Sequence, residues 1–203
     1  MSIFRIIFAI SILLVGCKSY NSTNFTKSDT TAEQDSLSFE LCKIYGSDQG
    51  IRDMHLLTSK EAGALRFSPY LDSVNFFKIL DFVKKYGAPN ERLLGKKNFS
   101  YECVDLAYKA VLLHTPHMLI NNREYLDIFL REVEAGNMQM KTLITILDKY
   151  YWIRTDEFGN RRLLYGSQFG FPCLKYKHES DSARAVLGLP PLADSLFVVC
   201  KSQ

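Results

Sequence analysis

The stretch LDSVNFFKILDFVKKYGAP, residues 71–89, decides the fold class. Phe76, Phe77, Leu80 and Val83 recur at helical spacing and predict a buried stripe on a helix over Leu71–Tyr86. Gly87-Ala88-Pro89 is its stop signal, because Pro has no N–H to donate and disfavours helical backbone just before it.

The same period extends in both directions. Upstream, Leu37, Leu41, Ile44, Tyr45, Ile51 and Met54 predict a helix from Leu37 to about Leu57, with Gly46 and Gly50 weakening its middle. Residues 58–69 read as a loop with helical fragments. Downstream, Ser100 opens a helix to His114 whose face is Cys103, Leu106, Ala107, Ala110 and Val111, and Pro116 ends or kinks it. Asn122 to Ala135 buries Leu126, Phe129, Leu130 and Val133, with Gly136 closing it. Met140 to Tyr150 buries Leu143, Ile144 and Leu147. Tyr151–Thr155 and Arg161–Tyr165, around Phe158-Gly159-Asn160, predict a β-hairpin. A short helix capped by Asp181 or Ser182 ends at Gly188, and Leu196–Cys200 is a terminal apolar run, strand or short helix. The expected fold is mainly α, a compact bundle-like helical domain with one β-hairpin near the C-terminal third.

The first residues give an address. Arg5 supplies a small positive region, and Ile6 to Val15 is an apolar run far short of a membrane-spanning helix, which needs roughly 20 residues. Leu14-Val15-Gly16-Cys17 closes it and resembles the lipobox of bacterial lipoproteins. On that reading residues 1–16 are a signal peptide, and Cys17 is the lipidated mature N-terminus. Its acyl chains hold the protein to a membrane of the bacterial cell envelope. Lys18 after the cysteine resembles the outer-membrane rather than the inner-membrane case. Residues 17–36 read as a lipidated flexible tether rich in Ser, Thr and Asn, and residues 37–203 as a single domain large enough for a proper core.

The chain has 203 residues and a formal net charge of +3, with the basic residues spread along it. No basic block points to nucleic acid. Besides Cys17 there are Cys42, Cys103, Cys173 and Cys200, none in the C-x-x-C spacing of a zinc site. Cys42 and Cys103 lie in apolar helical stretches and read as buried free thiols. Cys173 and Cys200 lie in irregular sequence, where a bridge between them stays open.

Four sets of residues can carry chemistry. Asp48, Arg52 and His55 lie one turn apart on one helix face beside Gln49. They suit either a recognition surface with a proton-shuttling imidazole or a solvated ion pair of little weight. His114 points inward with its helix's apolar face. His114 and His117 at i, i+3 can offer two imidazoles to a metal, but Thr115-Pro116 disturbs the helix and the general-base Glu of a metalloprotease helix is absent. No metal and no cofactor is assigned. Asp148-Lys149 ends a helix, and Gly166 permits a tight turn presenting Ser167 and Gln168. There is no Gly-x-Ser-x-Gly elbow.

The motifs run Asp48-Gln49-x-x-Arg52, Tyr86-Gly87-x-Pro89 with Gly95, a helix reaching His114, Asp148-Lys149, Tyr165-Gly166-Ser167-Gln168 and Arg184-x-x-x-Gly188-Leu189. This order resembles an uncharacterised family of bacterial proteins, a domain of unknown function often found in secreted or lipid-anchored proteins. It departs from the family pattern at Leu113 (Gln there), Lys149 (Arg) and Ser167 (Thr). The resemblance implies no activity or cofactor. It implies that Asp48, Gln49, Arg52, His114, Asp148 and Gln168 meet around one cleft, or else form a buried polar network that fixes the fold.

Three functions follow as expectations. The first is a membrane-tethered binding module whose polar cleft, with Gln49, Arg52, Lys149 and Gln168 as binding residues, holds a small polar ligand, a peptide or an envelope protein. The second is a hydrolytic enzyme with His114 as general base and Asp48 or Asp148 orienting it. The third is a purely structural or interaction lipoprotein.

Overall fold

A computed structural model describes residues 27–50, Arg52 and residues 69–201. Cys17, His55 and the expected helix end and loop over residues 53–68 lie outside the described residues.

The architecture is helical. Helix α1 runs Lys27–Gly50 and α2 Pro69–Tyr86. Three one-turn helices follow, α3 Glu91–Leu94, α4 Lys96–Phe99 and α5 Glu102–Asp105. Then come α6 Ala107–His114, α7 Pro116–Asn121, α8 Arg123–Glu134 and α9 Met140–Trp152. After an irregular segment, α10 runs Lys177–Val186. Helix α1 starts inside the stretch read as tether. Within that stretch Asp35 accepts from Asn98 Nδ2 at 2.7 Å, which ties α1 to α4.

Helix α6 is the centre of the bundle. It packs on α1, α2 and α9, and α9 also packs on α7. Ala107, Val111 and Leu112 of α6 are fully buried against Leu41, Phe76, Ile79, Leu143 and Leu147. On α2 the buried residues include Phe76, Ile79, Leu80, Phe82 and Val83, while Phe77 is 42% exposed. The buried arc is therefore rotated from the expected stripe, because α2 faces α1 and α6 on one flank and α8 on the other.

Local chemistry explains the breaks. Asn122 caps α8 by accepting from Tyr125 N at 3.3 Å, and Asn90 caps α3 by accepting from Leu93 N at 3.0 Å. The helix expected from Ser100 is interrupted, since α5 and α6 are separate helices and Ser100 Oγ donates instead to Lys97 O. Pro116 ends α6 and also starts α7, where a first-turn residue needs no N–H partner.

The expected β-hairpin is not formed. Among the described residues there is no β-strand, only isolated bridges, of which Thr155–Arg161 is the one in that segment. Tyr151 and Trp152, expected in the first arm, belong to α9. Asp156 Oδ1 accepts from Phe158 N and Asn160 N, so the chain reverses around a side-chain-closed turn. In the second arm, Leu164 N and Tyr165 N donate to Asp148 Oδ1 at 3.0 Å each rather than to a neighbouring strand. The apolar alternation there serves a buried loop, and its backbone donors have already found a carboxylate.

Cys42 and Cys103 are disulfide-bonded, joining α1 to α5 with Cα atoms 4.7 Å apart. This corrects the reading as free thiols. Two apolar helix faces that pack together also bring their cysteines within bonding reach, which spacing along the chain does not reveal. Cys173 and Cys200 form a second bridge. Exchanging Cys42 and Cys103 together for Ser removes a link that closes about 61 residues of chain. It should lower unfolding stability by about 2–4 kcal/mol in urea titrations followed by circular dichroism; an unchanged midpoint would show that the bridge does not constrain the unfolded chain.

Candidate functional site

Three apolar stripes end in polar residues at one end of the bundle. On α1, Leu37, Leu41 and Ile44 are followed by Asp48 at the next inward position. On α2, Asp72 precedes Phe76, Ile79 and Val83 in the same register. On α6, Ala107 and Val111 lead to His114. Because i, i+3 and i+4 positions share a helix face, packing the apolar stripes brings these polar ends together.

Asp48 is fully buried. Its carboxylate faces His114 Nδ1 at 2.9 and 3.1 Å, accepts from Gln49 Nε2 at 2.9 Å, and accepts from Arg52 Nη1 at 3.1 Å. Arg52 Nη1 also donates to Asp48 O at 2.7 Å, and Nη2 pairs with Asp72. A carboxylate removed from water is destabilising unless paired and hydrogen-bonded, and here three donors meet it. Asp48 lies near the C-terminus of α1, where the helix dipole disfavours an anion, so the guanidinium and imidazole offset that as well. Asp72 sits in the first turn of α2, where the dipole favours it.

With Asp48 ionised, His114 Nδ1 carries the proton and donates, which fixes the ring and leaves Nε2 for the groove. The His114 side chain is 29% exposed, so it is held from behind and open in front. The groove has a volume of about 240 Å³ and is lined by Arg52, Leu113, His114, Pro116, His117, Lys149, Tyr150, Ile153 and Arg154.

The structure therefore brings Asp48, Gln49, Arg52 and His114 together and adds Lys149. It does not bring in Asp148 or Gln168. Gln168 is exposed and lines a neighbouring groove with Lys109, Gln139 and Thr142, which shares only Leu113 with the first. Asp148 is fully buried and holds the turn at Leu164 and Tyr165. The same turn is gripped by Ser180 Oγ, which donates to Leu164 O at 2.6 Å, and by Arg184, which donates to Tyr165 O and Pro190 O. Gly166, at φ 71°, makes the tight bend that follows. The motif series thus divides into an open cluster around Asp48 and a closed one around Asp148.

Asp72, buried behind the groove, and Tyr150 and Arg154, in its lining, are site residues that spacing did not single out. Asp72 carried a signal, because it occupies an inward register position of its helix. Tyr150 and Arg154 carried none, since the groove they line is set by how α9 packs against α6 and α7. Among the described residues no three His, Cys, Asp or Glu side chains stand together as a metal-binding group. Comparisons with protein-family models, curated proteins and solved structures found no match.

Two outcomes test this geometry. Asp48→Ala should reduce stability by about 2–4 kcal/mol, because His114, Gln49 and Arg52 lose a shared buried acceptor; a loss near zero would mean a solvated ion pair. For Asp148, burial is the main influence and raises the carboxyl pKa, against the lowering effect of its N–H donors and Ser167. A raised folded-state pKa means the native state holds the proton longer, so stability is fully present below the unfolded value of about 3.9 and is lost as pH rises through the folded value. Asp148→Asn keeps an acceptor oxygen and removes that loss. Urea midpoints from mildly acidic to neutral pH should fall for the parent relative to the variant; parallel curves would contradict the raised pKa.

Proposed function

We propose that this chain is a lipid-anchored protein of the bacterial cell envelope whose helical domain binds a small polar ligand in the groove in front of His114. One observation carries the binding reading. A fully buried carboxylate orients His114 from behind, while the other edge of the ring lies in an open groove that also holds Arg52 and Lys149. A network that only fixed the fold would have no need of an open face.

Anchoring rests on the Leu14-Val15-Gly16-Cys17 sequence, and Lys18 favours the outer membrane. The two disulfides support export, since such bridges persist in oxidising compartments. No helix among the described residues is long and apolar enough to cross a membrane, so attachment would fall to the lipid on Cys17.

The Asp48–His114 pair also favours a second reading, in which His114 acts as general base and Asp48 orients it. Asp148 drops out of that role because its carboxylate is committed to the 164–165 turn. Among the described residues the groove lining contains no Ser, Thr or Cys, and the four described cysteines are in disulfides. An enzyme here would therefore have to activate water, and binding is the simpler account.

A ligand and turnover screen on the purified full chain, run beside His114→Ala, tests both readings. Loss of binding with no turnover in the parent supports the binding module, and loss of turnover supports the hydrolase. Hits unaffected by the exchange remove His114 from the site. Cys17→Ser should move the protein from the membrane to the soluble fraction of a detergent-free lysate; continued sedimentation with membranes would contradict the lipid anchor.

A further inference from the structure

The groove has a one-sided charge. Among the described residues its lining contributes Arg52, His114, His117, Lys149 and Arg154, and no carboxylate. Asp48 and Asp72, which compensate Arg52, are both buried behind it. Lys149 and Arg154 make no ion pair among the described residues. They are held by aromatic faces instead, with Lys149 Nζ 4.2 Å from the Trp152 ring centroid and 5.3 Å from that of Phe169. The Arg154 guanidinium lies 3.7 Å from the Tyr150 ring centroid, and its Nη1 donates to Tyr150 O at 2.6 Å. Stacking fixes a cation in place without neutralising it, because the ring supplies a quadrupole rather than a counter-charge. Arg154 keeps further N–H donors in its planar fork, and Lys149 keeps its ammonium donors.

Leu113, Pro116, Tyr150 and Ile153 form the apolar part of the same wall. A ligand that fits both parts has an anionic head and an apolar body. Two cations with no carboxylate partner among the described residues match a head of about two negative charges, which is the charge of a phosphate monoester near neutral pH. Its three free oxygens also match the ammonium of Lys149 and the remaining N–H fork of Arg154, which arrive from separate side chains, better than the two oxygens of a carboxylate do.

Resting on the reading of the groove as a ligand site, we infer that it recognises a phosphate monoester attached to an apolar or aromatic body. The phosphate sits among Lys149, Arg154 and His114, and the body lies along Tyr150 and Ile153. The ester is either a free small molecule or the head of a phosphatidic-acid-type lipid, since both present the same chemistry.

The test uses the full chain carrying Cys17→Ser, which removes the lipid and leaves every groove residue in place. Phenyl phosphate, benzoate and benzyl alcohol are titrated separately, with the His114 imidazole resonances read by NMR. Sedimentation is measured with phosphatidylcholine vesicles with and without phosphatidic acid. The expected result is saturable binding of phenyl phosphate, weaker binding of benzoate and none of benzyl alcohol. Lys149→Gln and Arg154→Gln should each weaken it about tenfold, the loss of one charge-assisted hydrogen bond. Sedimentation with phosphatidic acid that fails in the same two variants, without binding of phenyl phosphate, also supports the inference and assigns the lipid source. Benzyl alcohol binding as well as phenyl phosphate, or phenyl phosphate binding that survives both exchanges, overturns the phosphate assignment but leaves a ligand site. If no compound moves the His114 resonances and neither vesicle retains the protein, the phosphate assignment is overturned. A screen of neutral and cationic compounds on the same resonances then decides whether the ligand-site reading falls with it.

Discussion

A single buried carboxylate sets the terms for one end of this molecule. Asp48 lies on the inward face of α1, in register with Leu37, Leu41 and Ile44, so packing α1 against α6 forces it out of water. Leaving it without partners would cost several kcal/mol. Arg52 and Gln49 meet it from its own stretch of chain, and His114 meets it from the last residue of α6. Arg52 in turn reaches Asp72 on α2. The polar end of the bundle thus ties three helices together, and the orientation of His114 is a by-product of satisfying Asp48. An imidazole held in this way is preorganised for whatever enters the groove.

A second buried carboxylate has an opposite outcome. Asp148 is as deeply buried as Asp48, but its partners include backbone N–H groups of a loop, and no ion pair with it is found among the described residues. It stabilises the path from α9 to α10, with Ser180 and Arg184 holding the carbonyl oxygens of the same two residues. Asp148, Tyr165, Ser180 and Arg184 of this cluster are all buried. Two residues of one type, with similar burial, divide into a site and a structural staple according to whether the donors around them are mobile charged side chains or fixed amides.

Much of the fold was legible in the amino-acid order. The helices expected over residues 71–86, 122–135 and 140–150 follow from apolar period and are found within a few residues of those bounds, and Asn122, Gly136 and Pro89 sit at breaks where their chemistry requires them. The failures have particular causes. The segment from Tyr151 to Tyr165 has β-type composition, but its first two residues continue α9 and its later amides bond to Asp148, so local propensity lost to tertiary partners. Phe77 is apolar and lies beside the stripe, yet it is exposed, because which arc of a helix is covered depends on where its neighbours lie. The Asp48–Arg52 pair was legible by spacing. The register that carries Asp48 inward was legible too, since it continues the apolar stripe.

By itself the sequence determined that the chain is helical, where most helices stop, and that His114 follows the apolar face of its helix. These are local matters of period, backbone freedom and capping, each set within a turn or two of the residue concerned. Only the tertiary structure decided that His114 meets Asp48 across 66 residues of chain, that Cys42 bonds Cys103, that Gln168 stands outside the groove, and that Lys149 and Arg154 line it. Those outcomes depend on how helices cross and where they end relative to one another. That geometry is settled by packing the whole core at once, so no single stretch of sequence carries it.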